Sequence, residues 1–275
     1  MLSTTASLQE ALQQERWRSN LTAYIYIIRG MHAATRTEWQ KVSDCNRKLA
    51  LRDRQQPLEG SLGTLAAYLH GIFEQGVGDL DAALRIFEDP RFAIHGTDKS
   101  SPREKRIEFG ISLLAALNRI LIMQGADHRD EGKIPELLEQ VADACADLED
   151  VEIRAAYHLT MAMTQMNPPL AINDLKQHLQ HALQYTKRTN NTHCLSMALN
   201  TMRYRLFEDS VGEQAVKSAK AGAAQAVKSG NLLWMSAAEF MCAKSYESRS
   251  QSLEAQQSFE IGTQYANESW ARTQF

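Results

Sequence analysis

Hydrophobic residues recur at three- and four-residue steps along most of this chain, which is the pattern of amphipathic helices. In the segment 232–246, for example, Leu232, Met235, Ala238 and Cys242 fall on one stripe. No segment shows the alternation of apolar and polar residues that a half-buried β-strand requires. The pattern therefore predicts an all-α protein.

The same periodicity sets the expected helix boundaries. We predict helices at about 8–29, 35–53, 60–76, 79–89, 104–124, 134–148, 152–166, 170–188, 193–208, 211–229, 232–248 and 252–271. Polar segments at 91–103 and 124–133 predict loops. In the first helix we expect the large apolar residues to face the core, namely Leu8, Leu12, Leu21, Tyr24, Ile25 and Ile28.

The last third of the chain contains two copies of one sequence repeat. Residues 191–229 align with residues 231–269 at an offset of 40, which places Asn191 on Asn231, Ser196 on Ser236 and Gly222 on Gly262. A fixed period of this length is typical of helical-repeat proteins. Each unit is predicted to be one pair of antiparallel helices.

Small and aromatic residues within the unit match the tetratricopeptide pattern, in which small residues allow close helix crossing and an aromatic fills the gap between pairs. The matching positions are Ala243, Tyr246, Ala255 and Phe259, with Gly71, Ala83 and Phe87 at the same spacings upstream. We expect Phe259, Trp234 and Trp270 to be packed between helices.

These patterns predict a tetratricopeptide-like α-solenoid, a superhelix of antiparallel helix pairs. Residues 1–57 are expected to form an N-terminal helix pair, and residues 58–275 one continuous array of repeats.

Composition narrows the classes of function. The net charge of −3 argues against a dedicated nucleic-acid-binding protein, and the lysines and arginines at 187, 188, 217, 220 and 228 are interpreted as a solvated helix face. The most apolar run, 111–123, is interrupted by Asn118 and Arg119, so no membrane span is predicted. The cysteines, Cys45, Cys145, Cys194 and Cys242, are far apart and are interpreted as reduced thiols.

Candidate chemistry is sparse. No glutamate is followed by histidine at the three-residue spacing of a di-iron bundle, and His178 and His181 are interpreted as surface histidines. The acidic residues Asp127, Asp130 and Glu131 fall in a predicted loop. No phosphate-binding glycine loop or nucleophile elbow is present. We expect a non-enzymatic protein without cofactor, although an all-helical enzyme with an unrecognised site stays open.

The stretch 195–246 is more specific than a generic repeat. Its segments 211–215 and 228–231, together with Leu233-Trp234, resemble the cohesin-loading-factor family in its fungal form, the tetratricopeptide-type smaller subunit of the cohesin loader. Segments 60–90 and 111–122 are similar to the same family, so the resemblance extends over about 60–275 and corresponds to the family's C-terminal part.

The resemblance implies a non-enzymatic nuclear protein whose superhelix clasps the extended N-terminal segment of a large HEAT-repeat partner. Together the two proteins load cohesin onto chromatin for sister-chromatid cohesion, so contact with cohesin and chromatin is indirect. Family members are typically much longer, so we expect this chain to be a fragment or a shortened member. The alternative is a tetratricopeptide adaptor that binds short peptides, which the 40-residue spacing disfavours.

The concave face of a helix-pair solenoid is lined by the first helix of each pair, between its packing positions. We predict partner-binding residues there, since interface centres favour aromatic residues. They are Tyr68, Ile72, Asn200, Tyr204, Phe207, Phe240, Lys244 and Glu247. Gly222 and Ala255 are predicted to lie at close helix crossings instead.

Overall fold

The computed structural model describes residues 2–94, 102–125, 132–146, 148–165, 169–207 and 213–274, with side chains from Gln9 onward. The protein is 85% helical with no strand among the described residues, which confirms the prediction of an all-α solenoid. The helices are α1 (Leu2–Thr35), α2 (Trp39–Gln55), α3 (Gly60–Val77), α4 (Leu80–Phe87), α5 (Arg103–Met123), α6 (Lys133–Ala146), α7 (Val151–Met163), α8 (Ile172–Thr189), α9 (Thr192–Leu206), α10 (Glu213–Ser229), α11 (Leu232–Glu247) and α12 (Ser252–Ala271).

The helix boundaries agree with the periodicity except near the N-terminus. Helix α1 spans Leu2–Thr35, well beyond the predicted 8–29, and the chain reverses at Thr37, a buried residue with a φ of 55°. The segment predicted as a helix at 79–89 forms α4 over Leu80–Phe87, and a short 3-10 turn at Pro90–Phe92 follows beyond it. The acidic cluster Asp127, Asp130 and Glu131 lies outside the described residues, as does most of the predicted loop 91–103.

The 40-residue repeat is visible in the contacts of α9–α10 and α11–α12. Asn191 and Asn231 cap α9 and α11, because each side-chain oxygen accepts a hydrogen bond from the backbone N–H three residues ahead. Ser236 donates from Oγ to the Gly262 carbonyl at 2.9 Å, and Ser196 lies at 3.5 Å from the Gly222 carbonyl. Equivalent residues therefore make equivalent contacts.

Small residues allow close helix crossings within the helix pairs, both in the repeat and between α3 and α4. A Cβ at Gly222 would lie 2.5 Å from Oδ1 of Asn200, and one at Gly71 would lie 2.4 Å from the Phe87 ring. The predicted crossing role of Gly222 is confirmed, as is the close contact of α3 with α4.

Arg203 occupies the position where the repeat pattern expects a small residue, and it is 1% exposed. Its Nε donates to Oγ of Ser245 at 2.7 Å, and its Nη1 donates to the Phe207 carbonyl. The long side chain is accommodated because these hydrogen bonds satisfy part of the guanidinium and tie α9 to α11.

The first helix packs through Ile27 and several small residues, and most of its other described large apolar residues face outward. Ala23, Ile27 and Gly30 are buried against α2 and α3, and a Cβ at Gly30 would lie 2.5 Å from Leu69. The expectation that Leu12, Leu21, Tyr24, Ile25 and Ile28 face the core is wrong, since all are exposed, and the side chain of Leu8 lies outside the described part. Helices α1 and α2 share this core with α3, so the predicted domain boundary at residue 57 falls within one core. That boundary stays a prediction.

The last helix also carries large apolar residues that are exposed to solvent. Phe259 and Trp270 are exposed, so the expectation that they pack between helices is wrong for both, whereas Trp234 is half-buried. The repeat equivalents of Phe259, Leu179 and Ala219, are fully buried. The side chain at this repeat position is buried only where a further helix pair packs against the helix that carries it.

The two ends of the described array meet. The side chain of Asn231 donates from Nδ2 to the Thr35 carbonyl at 3.0 Å, and Arg272 donates from Nη1 to the Arg36 carbonyl at 3.0 Å. These bonds, here called the closure contact, join the α1–α2 turn to the last helix pair. The solenoid therefore curves far enough for residues about 200 positions apart to touch.

Candidate partner-binding cleft

A cleft of about 1410 Å³ lies inside the curve of the solenoid. Residues of α1, α3, α5, α6, α7 and the start of α9 line it, so helices distant in sequence meet around it. Its size exceeds that of an ordinary small-molecule pocket, about 300–1,000 Å³. The cleft has room for a polypeptide segment.

The walls of the cleft are largely apolar. Phe109, Ile111 and Ile153 are buried beneath its surface, while Ile107 remains 40% exposed. Ile107 lies at the exposed start of α5, one turn before the buried residues Gly110 and Ile111, so its side chain is available to an incoming ligand. An exposed apolar side chain within a concave surface is typical of a binding site.

Charged residues of opposite sign line different parts of the cleft. The α6–α7 side carries Asp143, Glu149 and Glu152, and the start of α5 carries Arg103 and Arg106. The charges favour a ligand of mixed charge whose basic groups face the α6–α7 side.

The end of the cleft at the α8–α9 turn is polar and uncharged. Asn191, His193 and Cys194 lie there. Burial lowers the pKa of His193 and raises the pKa of the Cys194 thiol to about 11. At neutral pH both groups are therefore uncharged, and Cys194 is not an activated thiolate.

Only one residue of the predicted partner-binding set lines the cleft, namely Tyr68. It is nearly buried, its hydroxyl accepts a hydrogen bond from Nδ2 of Asn118 at 3.0 Å, and burial raises its pKa. The expectation that Tyr68 and Asn200 are exposed is wrong, because Asn200 is turned into the crossing with α10. Ile72 is half-buried and packs into the core between α3 and its neighbours.

The remaining predicted residues lie on α9 and α11, away from this cleft. Phe240 is half-buried with its ring centroid 5.5 Å from that of Phe259, at the crossing with α12. Tyr204, Lys244 and Glu247 are exposed, and Phe207 is half-buried. Their role in partner binding stays a prediction.

The cleft residues that sequence reasoning missed are Ile107, the two arginines of α5 and the carboxylates around the α6–α7 turn. The apolar character of Ile107 is visible in the sequence, but its exposure is not, because Ile107 is spaced three and four residues from the buried Gly110 and Ile111. The carboxylates carried no signal, because only the curvature of the solenoid brings them opposite α5.

A cluster of histidines lies between α7 and α8, outside the cleft. Nδ1 of His158 and Nδ1 of His178 are 2.9 Å apart, and the His181 ring stacks on His158. Burial, followed by these neighbours, lowers the pKa of His158 to about 4, and burial also lowers that of His178. The interpretation of His178 and His181 as surface histidines is corrected, because both are half-buried in this cluster. No set of three metal-ligating side chains is arranged for a metal ion within the described ranges.

The thiols are free and mostly buried, with Cys45, Cys145 and Cys242 in the core. Across the part of the chain that the structure covers, no helix combines the length and the apolar character needed to cross a membrane.

Comparison with known proteins identifies the family. No curated protein and no solved structure matches this chain. The family model described as the cohesin loading factor matches residues 2–252, which includes the N-terminal helix pair as well as the repeats. The match is therefore wider at the N-terminus than the resemblance over about 60–275, and it stops before α12. Since the match covers most of its length, the chain belongs to the cohesin-loading-factor family.

Proposed function

We propose that this chain is a non-enzymatic scaffold subunit of the cohesin loader. The family match over residues 2–252 carries the proposal, since it supports a role in cohesin loading. The partner would be the large HEAT-repeat subunit of the loader, and cohesin and chromatin would be reached through it. This role places the protein in the nucleus.

The cleft is the proposed site for an extended segment of that partner. It is concave, apolar in its walls and charged at its edges, which suits a polypeptide better than a small ligand. Direct DNA binding is not part of the proposal. Two lysines of the basic helix face already have contacts within the chain, Lys217 with Glu213 at 3.0 Å and Lys220 over the Tyr246 ring.

The experiment is a binding measurement with the purified HEAT-repeat subunit. Ile107→Glu places a carboxylate on the apolar wall and should weaken the complex by about 1–3 kcal/mol, or roughly fivefold to 150-fold. Val227→Glu is the matched control, because Val227 is a comparably exposed aliphatic residue on α10 that does not line the cleft. If both variants bound the HEAT-repeat subunit with equal affinity, the cleft would not be part of the interface.

The peptide-adaptor alternative differs in the partner it requires. An adaptor would bind isolated short peptides with the cleft and would show no preference for the HEAT-repeat subunit. The family match does not favour it.

A further inference from the structure

A second apolar stripe runs along the outer side of α1, opposite to the side that packs on α2 and α3. Its members are Trp17, Leu21, Tyr24 and Ile28, all exposed, with Trp17 at 66%. The steps between them are four, three and four residues. Such alternation gives the 3.5-residue period of a helix that packs along another helix.

The stripe is separate from the core of the molecule. The buried residues Ala23 and Ile27 face α2 and α3, while the large residues on the outer side contact solvent. Isolated exposed apolar residues are common on protein surfaces, but a continuous row that includes Trp and Tyr is typical of an interaction surface.

The charge beside the stripe is of one sign. Arg18 and Arg29 are exposed on the flank of the stripe, and neither forms an ion pair with any residue that the structure describes. From Arg16 to Thr37 the sequence contains no Asp or Glu. Any helix that packs on this stripe therefore meets cations along its edge, which favours carboxylates on the partner.

The same arginines argue against a second copy of this chain as the occupant. An antiparallel pair of identical helices would bring the Arg18 and Arg29 flanks of both copies together, and like charges in contact disfavour the complex. A lipid surface fits less well, because electrostatic membrane sites use clusters of about four to eight basic residues.

We propose that the Trp17–Ile28 stripe is a docking site for an acidic amphipathic helix of a partner protein. The helix lies along α1 over about three turns, with apolar residues on the stripe and Glu or Asp beside Arg18 and Arg29. Continuing the same period, the stripe leads to Met31, which lines the cleft, so the docked helix ends at the cleft mouth. The proposal does not depend on what the cleft holds.

The test uses two fluorescein-labelled helical peptides of about three heptads, with identical Leu/Ile stripes and either Glu or Lys on the flanks. Fluorescence anisotropy with the full chain should show binding of the Glu peptide and at least about tenfold weaker binding of the Lys peptide. Leu21→Asp and Tyr24→Ala should each weaken the Glu peptide about tenfold or more, and both sites are exposed, so thermal melting should be preserved.

Charge reversal gives the most specific readout. The double variant Arg18→Glu/Arg29→Glu should no longer bind the Glu peptide and should bind the Lys peptide instead. Arg47→Glu, on the exposed face of α2, should change the binding of neither peptide. Equal binding of both peptides, or no binding of the Glu peptide, would overturn the proposal. It would also be overturned if Leu21→Asp instead abolished self-association in sedimentation or binding to phosphatidylserine vesicles.

Discussion

Gly222 and Tyr204 lie on one helix pair but have opposite relations to the core. Gly222 has no room for a side chain, because a Cβ there would lie 2.5 Å from Asn200, while Tyr204 is 38% exposed. Gly222→Leu should therefore overpack the crossing and lower the free energy of unfolding by about 1–3 kcal/mol. Tyr204→Ala should leave thermal melting almost unchanged. If Tyr204→Ala melted as early as Gly222→Leu, the side chain would be part of the core.

Arg203 is a buried cation held by hydrogen bonds between α9 and α11. Arg203→Ala removes its bond to Ser245 and leaves a cavity, so urea denaturation should show a loss of about 2–4 kcal/mol. The control Arg205→Ala changes a neighbouring, less buried arginine and should cost under about 1 kcal/mol. Equal losses would mean that the burial of Arg203 adds nothing to stability.

Individual residues show where sequence reasoning succeeded. Asn191, Asn231, Ser196 and Ser236 were aligned by the repeat, and each makes the contact that its copy makes. Asn200 was misplaced, because periodicity identifies the face of a helix but not which neighbour that face meets.

At the scale of elements, α7 and α8 are joined by a contact that depends on pH. The close Nδ1–Nδ1 approach of His158 and His178 requires that at least one ring be neutral. The folded-state pKa of His158 is about 4, below the ordinary 6.5 of the unfolded chain. The stability from this group is thus present above pH 6.5 and is lost as the pH falls towards 4.

Thermal melting between pH 7 and pH 4 should detect a loss on the order of 1–2 kcal/mol from this group, after allowance for its partial exposure. His158→Gln should flatten part of that dependence, with His178 and His193, whose pKa values are also lowered, supplying the rest. His32→Gln, at an exposed site on α1, is the control. A wild-type slope in His158→Gln would show that the cluster does not titrate in this range.

Helix α1 shows why the packing of elements was harder to predict than their existence. The periodicity correctly gives a helix, but α1 has apolar residues on two opposite sides. Size suggests that Leu21 and Ile28 pack inward, whereas the inner side holds Ile27 together with Gly30, where the close approach of Leu69 leaves no room for a side chain. Only the geometry of the neighbour decides between the two.

At the scale of the whole molecule, the closure contact joins the two ends of the described array. Asn231→Asp keeps the oxygen that caps α11 but loses the N–H donated to Thr35, so it should open the contact without melting the helix. Hydrogen exchange at residues 33–38 should rise in this variant and in Arg272→Ala. Asn191→Asp, at the equivalent cap of α9, should leave it unchanged. Unchanged exchange in all variants would mean that the ends are held by other contacts.

The closure contact and the cleft are properties of curvature, which no local pattern contains. The repeat predicted a solenoid, but the angle between successive pairs depends on side chains such as Arg203 at positions where a small residue was expected. Small changes in that angle add up over the array, so the sequence did not show that Ile107 and Glu152 line the same cleft.

We propose that the cleft of this cohesin-loading-factor chain holds an extended segment of the HEAT-repeat subunit. The most direct measurement is site-specific photo-crosslinking in the assembled loader, with a photoreactive amino acid at Ile107 and, as control, at Val227. We expect the Ile107 position to cross-link to one short contiguous segment of the HEAT-repeat subunit, and the Val227 position not to do so. Cross-links from Val227 but not from Ile107, or no HEAT-repeat protein among the products, would contradict it.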